Sequence, residues 1–478
     1  MLEIVLGCVS WALILSPIWG ALLIPYALTY FLLAFDVYWL YKSFSLPAFV
    51  SLALNKIRRA EREDWLEKAR GLPNFGRVTH VLIIPNYKER LEKLRATLHA
   101  VAAQTFPRER LFVVLAMEAR EPDASEKARM LVEEFQHTFG GIWATYHLDA
   151  AGEVKGKSSN ESFAAKVAYQ RLVVGKQIDP LYATISSVDA DTIFDRQYFA
   201  YLTYAFLTSP RRYHTFWQSA NVSYNNFWQV PAPVRVVSYM ESLWRVALLL
   251  RRDRLLTNST YSLSFKLLVD VGFWDVDVIP EDYRIFFKAF YLLKGQAWVE
   301  PIFLQTSMDA PCAKGYLKSL KSKYDQERRW SWGVSDVPLC IQWWLTVPNV
   351  PFWRKTLLLY HLLLDHWLWA ASWFLLTIAI RVIPFINPVF SATPAGYSLL
   401  HLGGIILAPC VFATVLLVVD LRNRPARPET PKMRHLLLLF EMALMPVAGF
   451  FLSALPGVIS HTQLMLGNYL EYRVTEKI

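Results

Sequence analysis

The chain has 478 residues, of which 54% are hydrophobic and 18 are Trp, and its formal net charge at pH 7 is +10. That length is enough for two or three domains, and the hydrophobic fraction argues against an ordinary soluble enzyme and indicates membrane segments. The positive charge suits anionic lipid or nucleotide phosphates. No nucleic acid partner is expected, because no helix-turn-helix, zinc-finger or RNA-binding signature accompanies the basic residues.

An apolar run opens the chain. Residues Ile4–Tyr41 contain one charged side chain, Asp36, and would measure about 57 Å as a single helix at about 1.5 Å per residue. The run is far longer than the ~7–15 apolar residues of a secretory signal, so we expect it to stay as a membrane anchor. Because it also exceeds the ~30 Å hydrocarbon core, we expect two spans that break between Ser16 and Gly20, or one tilted helix with an interfacial piece.

A basic cluster follows the anchor and consists of Lys56, Arg58, Arg59 and Arg62. Positive residues beside a membrane segment favour the cytoplasmic side, so the segment after them is expected in the cytoplasm. The four cysteines are widely scattered, and none belongs to a C-x-x-C pair. This usage supports neither a zinc site nor a disulfide framework and fits a reducing compartment.

From about residue 79, strand-like and helix-like segments alternate. The strand-like segments are Thr79–Ile84, Leu111–Met117, Trp143–Leu148 and Ala183–Val188, and the helix-like ones are Lys88–Gln104, Ser125–Phe139 and Ser159–Val174. This alternation predicts an α/β layer with a mostly parallel sheet. Ligands of such open sheets bind at the carboxyl ends of the strands, where Pro85–Glu89, Glu118 and Asp189–Asp191 all fall.

Three further apolar segments, at about Leu357–Ile380, Ser398–Val419 and Leu436–Val458, predict membrane helices in the C-terminal part. The basic loop between the last two contains Arg422, Arg424, Arg427, Lys432 and Arg434. We expect this loop in the cytoplasm, on the same side as the α/β block. Pro446 and Pro456 allow the last segment to be re-entrant, so the side of the tail is left open.

The apolar stretch Leu181–Val188 ends in two carboxylates, Asp189 and Asp191, that are two residues apart. Alone, such a pair is more often a loop or a helix cap than a ligand site. At a strand end it can hold a hard divalent ion, which in turn binds a diphosphate.

Two further motifs follow this pair in the chain. Pro280-Glu281-Asp282 alone would be the first turn of a helix, where acidic residues suit the helix dipole. Gln326-Glu327-Arg328-Arg329-Trp330 alone would be an interfacial anchor, since Trp and Arg favour the membrane surface. The order D-x-D, E-D, Q-x-x-R-W and then apolar helices is far more specific than any one of these elements.

This order resembles the membrane-bound family-2 glycosyltransferases of the cellulose-synthase and hyaluronan-synthase kind. The resemblance covers about residues 78–335 by motif and the flanking spans by layout. It implies a GT-A (Rossmann-like) cytoplasmic domain, inserted between N- and C-terminal transmembrane helices, that binds a nucleotide-diphosphate sugar. Pro85–Glu89 matches the turn after the first strand, so Glu89 is expected to contact the donor.

The remaining assignments also come from the resemblance. Glu118 stands where the family has an Asp that contacts the base, which leaves the base identity open, and Lys157 matches a basic residue near the nucleotide with Asn160 close by. Asp189 and Asp191 match the donor- and metal-binding pair, with Mg²⁺ or Mn²⁺ as the cofactor. Asp282 matches the general base, although Pro280 replaces the family's Thr. The last motif matches in full through Gln326, Arg329 and Trp330.

The chemistry of these residue types agrees with those roles. A carboxylate beside an acceptor hydroxyl can take its proton as the glycosidic bond forms. The leaving diphosphate needs positive charge, which a divalent ion, Arg329 and Lys157 would supply. An apolar face such as that of Trp330 suits a sugar ring.

Several other residues have no assigned role. Asp365 and His366 fall in an apolar segment, where they would line an acceptor path or pair with a neighbouring helix. An aromatic group would stack on an acceptor or, as the better interpretation, form ordinary core and interface packing. Its members are Trp217, Trp228, Trp244, Tyr213 and Tyr224.

We therefore expect an inverting, metal-dependent glycosyltransferase at the plasma or inner membrane, multi-pass, that transfers a sugar to a lipid or a growing polysaccharide. A polyprenyl-phosphate or ceramide-type lipid glycosyltransferase with single transfer is the alternative, and a non-catalytic transporter or receptor is a distant one. The predicted organisation is an anchor of one or two spans (1–45), a juxtamembrane segment (46–77), the GT-A domain (78–335), an interfacial segment (336–356), about three transmembrane helices (357–460) and a tail (461–478). Oligomeric state is not predicted.

Overall fold

Eight strands form one mixed sheet in the computed structural model, which describes residues 1–402 and 441–470. The strands are β1 (Thr79–Asn86), β2 (Leu111–Glu118), β3 (Gly141–His147), β4 (Ala183–Ser187), β5 (Ile193–Phe194), β6 (Thr215–Val222), β7 (Tyr261–Ser264) and β8 (Trp298–Ser307). Their order across the sheet is β3-β2-β1-β4-β7-β6-β8-β5.

Helices precede, cover and follow this sheet. Those up to the last strand are α1 (Leu2–Ile14), α2 (Ser16–Leu23), α3 (Pro25–Ala60), α4 (Trp65–Arg70), α5 (Leu91–Ala102), α6 (Ala124–Phe135), α7 (Lys157–Ala168), α8 (Tyr198–Thr208), α9 (Ala232–Leu248), α10 (Phe265–Asp270) and α11 (Glu281–Leu292). The later ones are α12 (Tyr316–Ser331), α13 (Val337–Thr346), α14 (Phe352–Thr377), α15 (Ala379–Ile386), α16 (Pro388–Ser391), α17 (Pro394–Leu402) and α18 (Met442–Met465).

The four strands that the sequence predicts are the parallel half of the sheet, in the order β3, β2, β1 and β4. Both faces of β1 are covered, because Val81 and Ile83 belong to the core that includes α7, whereas Leu82 and Ile84 belong to the core that includes α5. Burial on both faces explains why these strands read as continuous apolar runs. The α/β fold class is therefore correct.

The other half of the sheet is mixed. Strand β7 is antiparallel to both β4 and β6, β8 is parallel to β6, and β5 is antiparallel to β8. The sequence analysis did not predict these strands, two of which have only four and two residues. Their insertion brings β7 beside β4, so the loop after β4 faces residues from the C-terminal half of the block.

The helix predictions hold with shifted ends. Helices α5 and α6 coincide closely with two of the predicted segments. The predicted segment Ser159–Val174 becomes α7 followed by a π-helical turn at Tyr169–Val174.

The N-terminal run forms three helices. A bend of 68° at Leu15 separates α1 from α2, next to the break predicted between Ser16 and Gly20. A second break at Ile24 precedes Pro25, which occupies the first turn of α3 because that position needs no N–H donor. Helix α3 then continues to Ala60 and includes Lys56, Arg58 and Arg59 of the basic cluster.

Within the described residues, α18 is the one helix that is by itself long and apolar enough to cross a membrane. The bent pairs α1/α2 and α14/α15, the second with an angle of 57°, raise the number to three if each pair forms one span. The basic loop at 422–434, nearly all of the predicted span Ser398–Val419, and residues 471–478 of the tail lie outside the described residues.

The apolar helices are joined to the sheet by a common core and by polar contacts. Val50, Ala53 and Ile57 of α3 belong to the same buried cluster as Val81 of β1. Helix α18 holds α12, since Arg328 donates to Gln463 Oε1 at 2.8 Å and Ser331 Oγ lies 2.7 Å from Ser460 Oγ. These contacts therefore hold α12 against α18, and the sheet against α3.

Candidate active site

A cavity of about 810 Å³ lies at the carboxyl ends of β1, β2 and β4 and continues between α3, α14 and α18. All nine residues that the sequence singled out for the site line this cavity. They are Glu89, Glu118, Lys157, Asp189, Asp191, Asp282, Gln326, Arg329 and Trp330. Asn160 lines it as well and donates to the Ala116 carbonyl at 2.7 Å.

The two aspartates of D-x-D lie in a turn directly after β4. The backbone N–H of Asp189 donates to Thr260 Oγ1 at 3.1 Å, and the N–H of Thr192 donates to the Asp189 carbonyl at 3.0 Å. Asp191 is buried and accepts from the N–H of Asp309 at 2.8 Å, just beyond the end of β8. These contacts fix the backbone of Asp189 and the carboxylate of Asp191.

Lys157 is the central cation of the site. Its ammonium lies 2.8 Å from Asp189 Oδ1, 3.0 Å from Glu281 Oε1 and 2.9 Å from the Ser259 carbonyl. Burial alone would lower the pKa of Lys157, but the surrounding carboxylates outweigh it and raise the pKa well above its ordinary value. Lys157 begins α7 directly after Gly156, whose φ of +149° favours glycine.

Two buried carboxyl groups that the sequence analysis did not assign complete this cluster. Glu161 lies one turn after Lys157, and Ser187 Oγ donates to its Oε1 at 2.6 Å. Burial raises the pKa of Glu161 to about 8, and burial likewise raises the pKa of Glu281 to about 7, although Lys157 lowers both. The i,i+4 spacing of Lys157 and Glu161 on a helix is the signal in the sequence that points to the first of them.

Asp282 lies at the start of α11. Its carboxylate accepts two backbone hydrogen bonds, from the N–H of Ser259 at 3.0 Å and from the N–H of the next residue, Tyr283, at 2.9 Å. Burial raises the pKa of Asp282, although Lys157 and these two donors lower it, so this carboxylate is a better base than an ordinary Asp.

Ser259 connects the two halves of this cluster. Its N–H binds Asp282 and its carbonyl binds Lys157, and its φ of +50° is in the left-handed region that non-glycine residues seldom adopt. Strained backbone of this kind is concentrated at functional sites. No pattern in the sequence marks this residue.

The predicted donor-base side of the cavity contains Glu118 and Tyr87, which are connected through Arg120. Glu118 forms an ion pair with Arg120, whose guanidinium carbon lies 4.1 Å from the centroid of the Tyr87 ring. Burial raises the pKa of Glu118, although Arg120 lowers it. The loop with Glu89 is held by Lys127, which donates to the Glu89 carbonyl at 2.9 Å.

On the opposite side, α12 presents the Q-x-x-R-W residues. Trp330 is half-buried, and two cations lie over its ring, with Lys323 Nζ 4.8 Å and the Arg245 guanidinium carbon 4.9 Å from its centroid. The sequence analysis missed both cations. Lys323 is fully buried. Its charge is compensated there, because the ammonium lies 2.8 Å from both oxygens of Glu241 and 2.6 Å from Glu327 Oε1.

The residues without an assigned role divide between cavity and core. Asp365 lines the cavity and pairs with Arg254, which lies in the loop between α9 and β7 rather than on a neighbouring helix. Trp217 is buried in the core, as the packing interpretation expects, whereas Trp244 lines the cavity. His366 is buried with its ring 5.9 Å from that of His461.

Residues 184–419, which contain the D-x-D turn, Asp282 and the Q-x-x-R-W helix, match the family model described as Glycosyl transferase family group 2. This match confirms the resemblance to family-2 glycosyltransferases that the motifs predict, and it identifies residues 184–419 as glycosyltransferase sequence. No curated protein matches the chain.

Solved structures resemble the chain at low identity. The mannosyltransferase PcManGT from Pyrobaculum calidifontis, in complex with GDP-Man and Mn²⁺, is 15% identical over 87% of this chain and 99% of its own, with a TM-score of 0.42. Residues 1–349 of TarS from S. aureus, in complex with UDP-GlcNAc, are 13% identical over 83% of this chain and 93% of their own, with a TM-score of 0.37. Likeness at these TM-scores carries no functional argument.

Proposed function

We propose that this glycosyltransferase uses a GT-A domain to transfer a sugar, with inversion, from a nucleotide-diphosphate donor to a lipid or a growing glycan at a membrane. One observation carries the proposal: a single cavity contains the D-x-D pair, Asp282 and Trp330, and it opens between the apolar helices. Donor, base and acceptor would therefore meet at one point. The predicted division of the chain into anchor, catalytic domain and C-terminal helices belongs to the same proposal.

The donor would bind along the carboxyl ends of the parallel strands. Tyr87, Arg120 and Glu118 offer an aromatic face, a planar cation and an acceptor for the base. Lys157 and Arg329 line the cavity beside Asp189 and would bind the diphosphate, because charge-assisted hydrogen bonds to phosphate are strong.

The donor set also fits Mg²⁺ or Mn²⁺. Asp189 and Asp191 offer hard carboxylate oxygens, and no group of three His, Cys, Asp or Glu side chains in the described part of the chain could hold a metal by itself. A metal held by two carboxylates would take its remaining ligands from diphosphate and water, which is how Mg²⁺ binds in phosphate sites. When bound, such an ion neutralises charge that develops on the leaving diphosphate.

Asp282 would act as the general base. It would take the proton of the acceptor hydroxyl while that oxygen forms a bond to the anomeric carbon of the donor sugar. The bond from that carbon to the diphosphate breaks, and its electron pair leaves with the nucleoside diphosphate. One displacement of this kind inverts the anomeric centre and needs no covalent intermediate.

The membrane location rests on the apolar helices. Helix α18 and the two bent pairs have the length and apolar character of membrane elements. The basic residues at the end of α3 favour the cytoplasm for the catalytic domain.

The test is a donor screen with the full chain in lipid nanodiscs, using radiolabelled UDP- and GDP-sugars with Mn²⁺ or Mg²⁺ and membrane lipid extract as the acceptor. We expect transfer that stops when the metal is chelated, and a product with inverted anomeric configuration. Asp282→Asn should lower turnover by about 10²–10⁴-fold while the donor still binds. Full turnover of this variant would refute the assignment of the base, and product size separates single transfer from polymer synthesis.

A further inference from the structure

We propose that the acceptor is a phospholipid-type molecule, in which an apolar chain lies between α3, α14 and α18 and a phosphate group pairs with Lys42. This inference rests on the proposed function and specifies its acceptor. It depends on two features of the helical arm of the cavity, which we define as the part lined by α3, α14 and α18.

The first feature is that several polar groups in the wall of this arm already donate to backbone carbonyls. Trp369 Nε1 donates to the Ser453 carbonyl at 3.1 Å, and Trp373 Nε1 donates to the Pro446 carbonyl at 2.7 Å. Thr377 Oγ1 donates to the Trp373 carbonyl at 2.6 Å. These groups have few hydrogen bonds left to offer. The hydroxyls of Tyr38 and Ser372 and Nε1 of Trp39 have no hydrogen-bond partner among the described residues, but these atoms are themselves buried, so the wall presents mostly carbon surface to the cavity.

Apolar side chains complete the wall. Leu368, Leu376, Met442 and Met445 line the same arm. A glycan would lose hydrogen bonds to water on entering and would regain few from such a wall, whereas a hydrocarbon chain loses nothing of that kind. The composition therefore favours a lipid chain over a sugar polymer.

The second feature is a cation in this apolar arm. The Lys42 ammonium lies over two aromatic rings, 5.0 Å from the centroid of Trp244 and 5.5 Å from that of Tyr38. Among residues 1–402 and 441–470, no carboxylate forms an ion pair with it. The nearby acid of the cavity, Asp365, pairs instead with Arg254.

A half-buried ammonium without an ion pair favours an anionic ligand, because burial makes its charge costly and Arg254 offsets the stabilisation that the nearby Asp365 provides. Lys42 lies on the wall that also carries the hydrocarbon-like surface, while the proposed base and donor side chains line the rest of the cavity. A ligand that satisfies both regions has an apolar chain, then a phosphate, and then the hydroxyl that Asp282 would deprotonate.

The experiment measures equilibrium binding of two radiolabelled probes to the full chain in detergent micelles, farnesyl phosphate and the matched neutral alcohol farnesol. Wild type should bind the phosphate about tenfold more tightly, as expected for one charge-assisted contact. Lys42→Met should abolish this preference while farnesol binding is unchanged, which shows that the cavity is intact, and Lys42→Arg should keep the preference. Lys56→Met, on the exposed side of the same helix, is the matched control and should behave as wild type.

Equal binding of the two probes by wild type overturns the proposal without reference to any variant. So does a preference that survives Lys42→Met. Competition by inorganic phosphate as effective as that by farnesyl phosphate would reduce the site to a plain anion site and also overturn it. Because no turnover is involved, a failure of the donor screen would remove the proposed function without affecting these outcomes.

Discussion

The buried ion cluster under Trp330 gives the sharpest test of how this site is held. Lys323 on α12 is fully buried between Glu241 and Glu327, and it also lies over the Trp330 ring. Lys323→Met keeps the length of the side chain and removes its charge. Removing one partner of a buried ion pair costs about 3–5 kcal/mol, since the remaining carboxylates keep their burial and lose their cation.

The lower end of that range is expected here. Burial and the neighbouring Glu241 already raise the pKa of Glu327 well above its ordinary value, although Lys323 lowers it, so Glu327 can take up a proton when the lysine is removed. Loss of the cation over Trp330 adds about 0.5–2 kcal/mol. We therefore expect the free energy of unfolding to fall by about 3.5–5 kcal/mol.

The defect should depend on pH. Without Lys323 the pKa of Glu327 rises further in the folded state, while the unfolded value stays near 4.5. A carboxyl group whose pKa is higher when folded costs stability above the unfolded value, and the cost grows as the pH rises towards the folded value. Because the same group is already raised in wild type, the difference in unfolding free energy between variant and wild type grows only above the wild-type folded pKa of Glu327, so it should be no larger at pH 5.5 than at pH 8.

The assay is urea unfolding of the full chain in detergent at both pH values, together with transfer kinetics. Lys321→Met, on an exposed position of the same helix, is the matched control and should change stability by less than about 0.5 kcal/mol. Glu241→Gln added to Lys323→Met should restore part of the loss, because it removes a carboxylate left without its cation. A loss below about 1 kcal/mol at both pH values, or a larger loss at pH 5.5 than at pH 8, would refute the ion-cluster account.

Three further outcomes are expected. A Cβ at Gly449 would meet only Met445 Cε, at 3.8 Å, so there is space for a larger side chain that projects into the helical arm. Gly449→Leu should fill this arm and reduce transfer at least about tenfold with donor binding unchanged, while Gly449→Ala should leave transfer intact. Equal transfer by the two variants would show that the acceptor does not use this arm. Gly156→Ala should lower the free energy of unfolding by about 1–3 kcal/mol, because the φ of +149° at this position is strained for alanine. It should also weaken nucleotide binding, because Lys157 follows directly in the chain. An unchanged midpoint of urea unfolding would contradict this prediction. Arg120→Gln should weaken binding of the nucleotide about tenfold in a fluorescence titration, because it removes the cation–π contact with Tyr87 and the ion pair with Glu118. Unaltered affinity would show that Arg120 does not contribute to donor binding.

Much of the catalytic block could be predicted from sequence because its signals are local. The strands β1, β2 and β4 are buried on both faces, and the carboxylates that follow β4 occur directly at the end of a mostly apolar stretch. The glycosyltransferase class followed from the order of three motifs along the chain. The roles of the individual residues stay predictions, although all nine line one cavity.

The boundaries of the apolar helices were harder to predict from the sequence. The break near Ser16 was expected from proline, but the second break at Ile24 and the continuation of α3 to Ala60 were not. A long apolar run looks the same whether it crosses a membrane straight or bends, because hydropathy reports composition and not direction. Strands β5 and β7 were missed because segments of two and four residues have no measurable period.

The sequence by itself therefore determined the α/β class, the four parallel strands and the order of the D-x-D, E-D and Q-x-x-R-W motifs, since each depends on residues close together in the chain. Only the tertiary structure decided which distant groups complete the site. Glu161 reaches Lys157 through one helical turn, but Arg245 and Lys323 meet over Trp330 from two different helices, and Lys42 meets Trp244 across some 200 residues. Such contacts depend on how helices pack, and helix packing follows from the shape and burial of whole surfaces rather than from any local pattern.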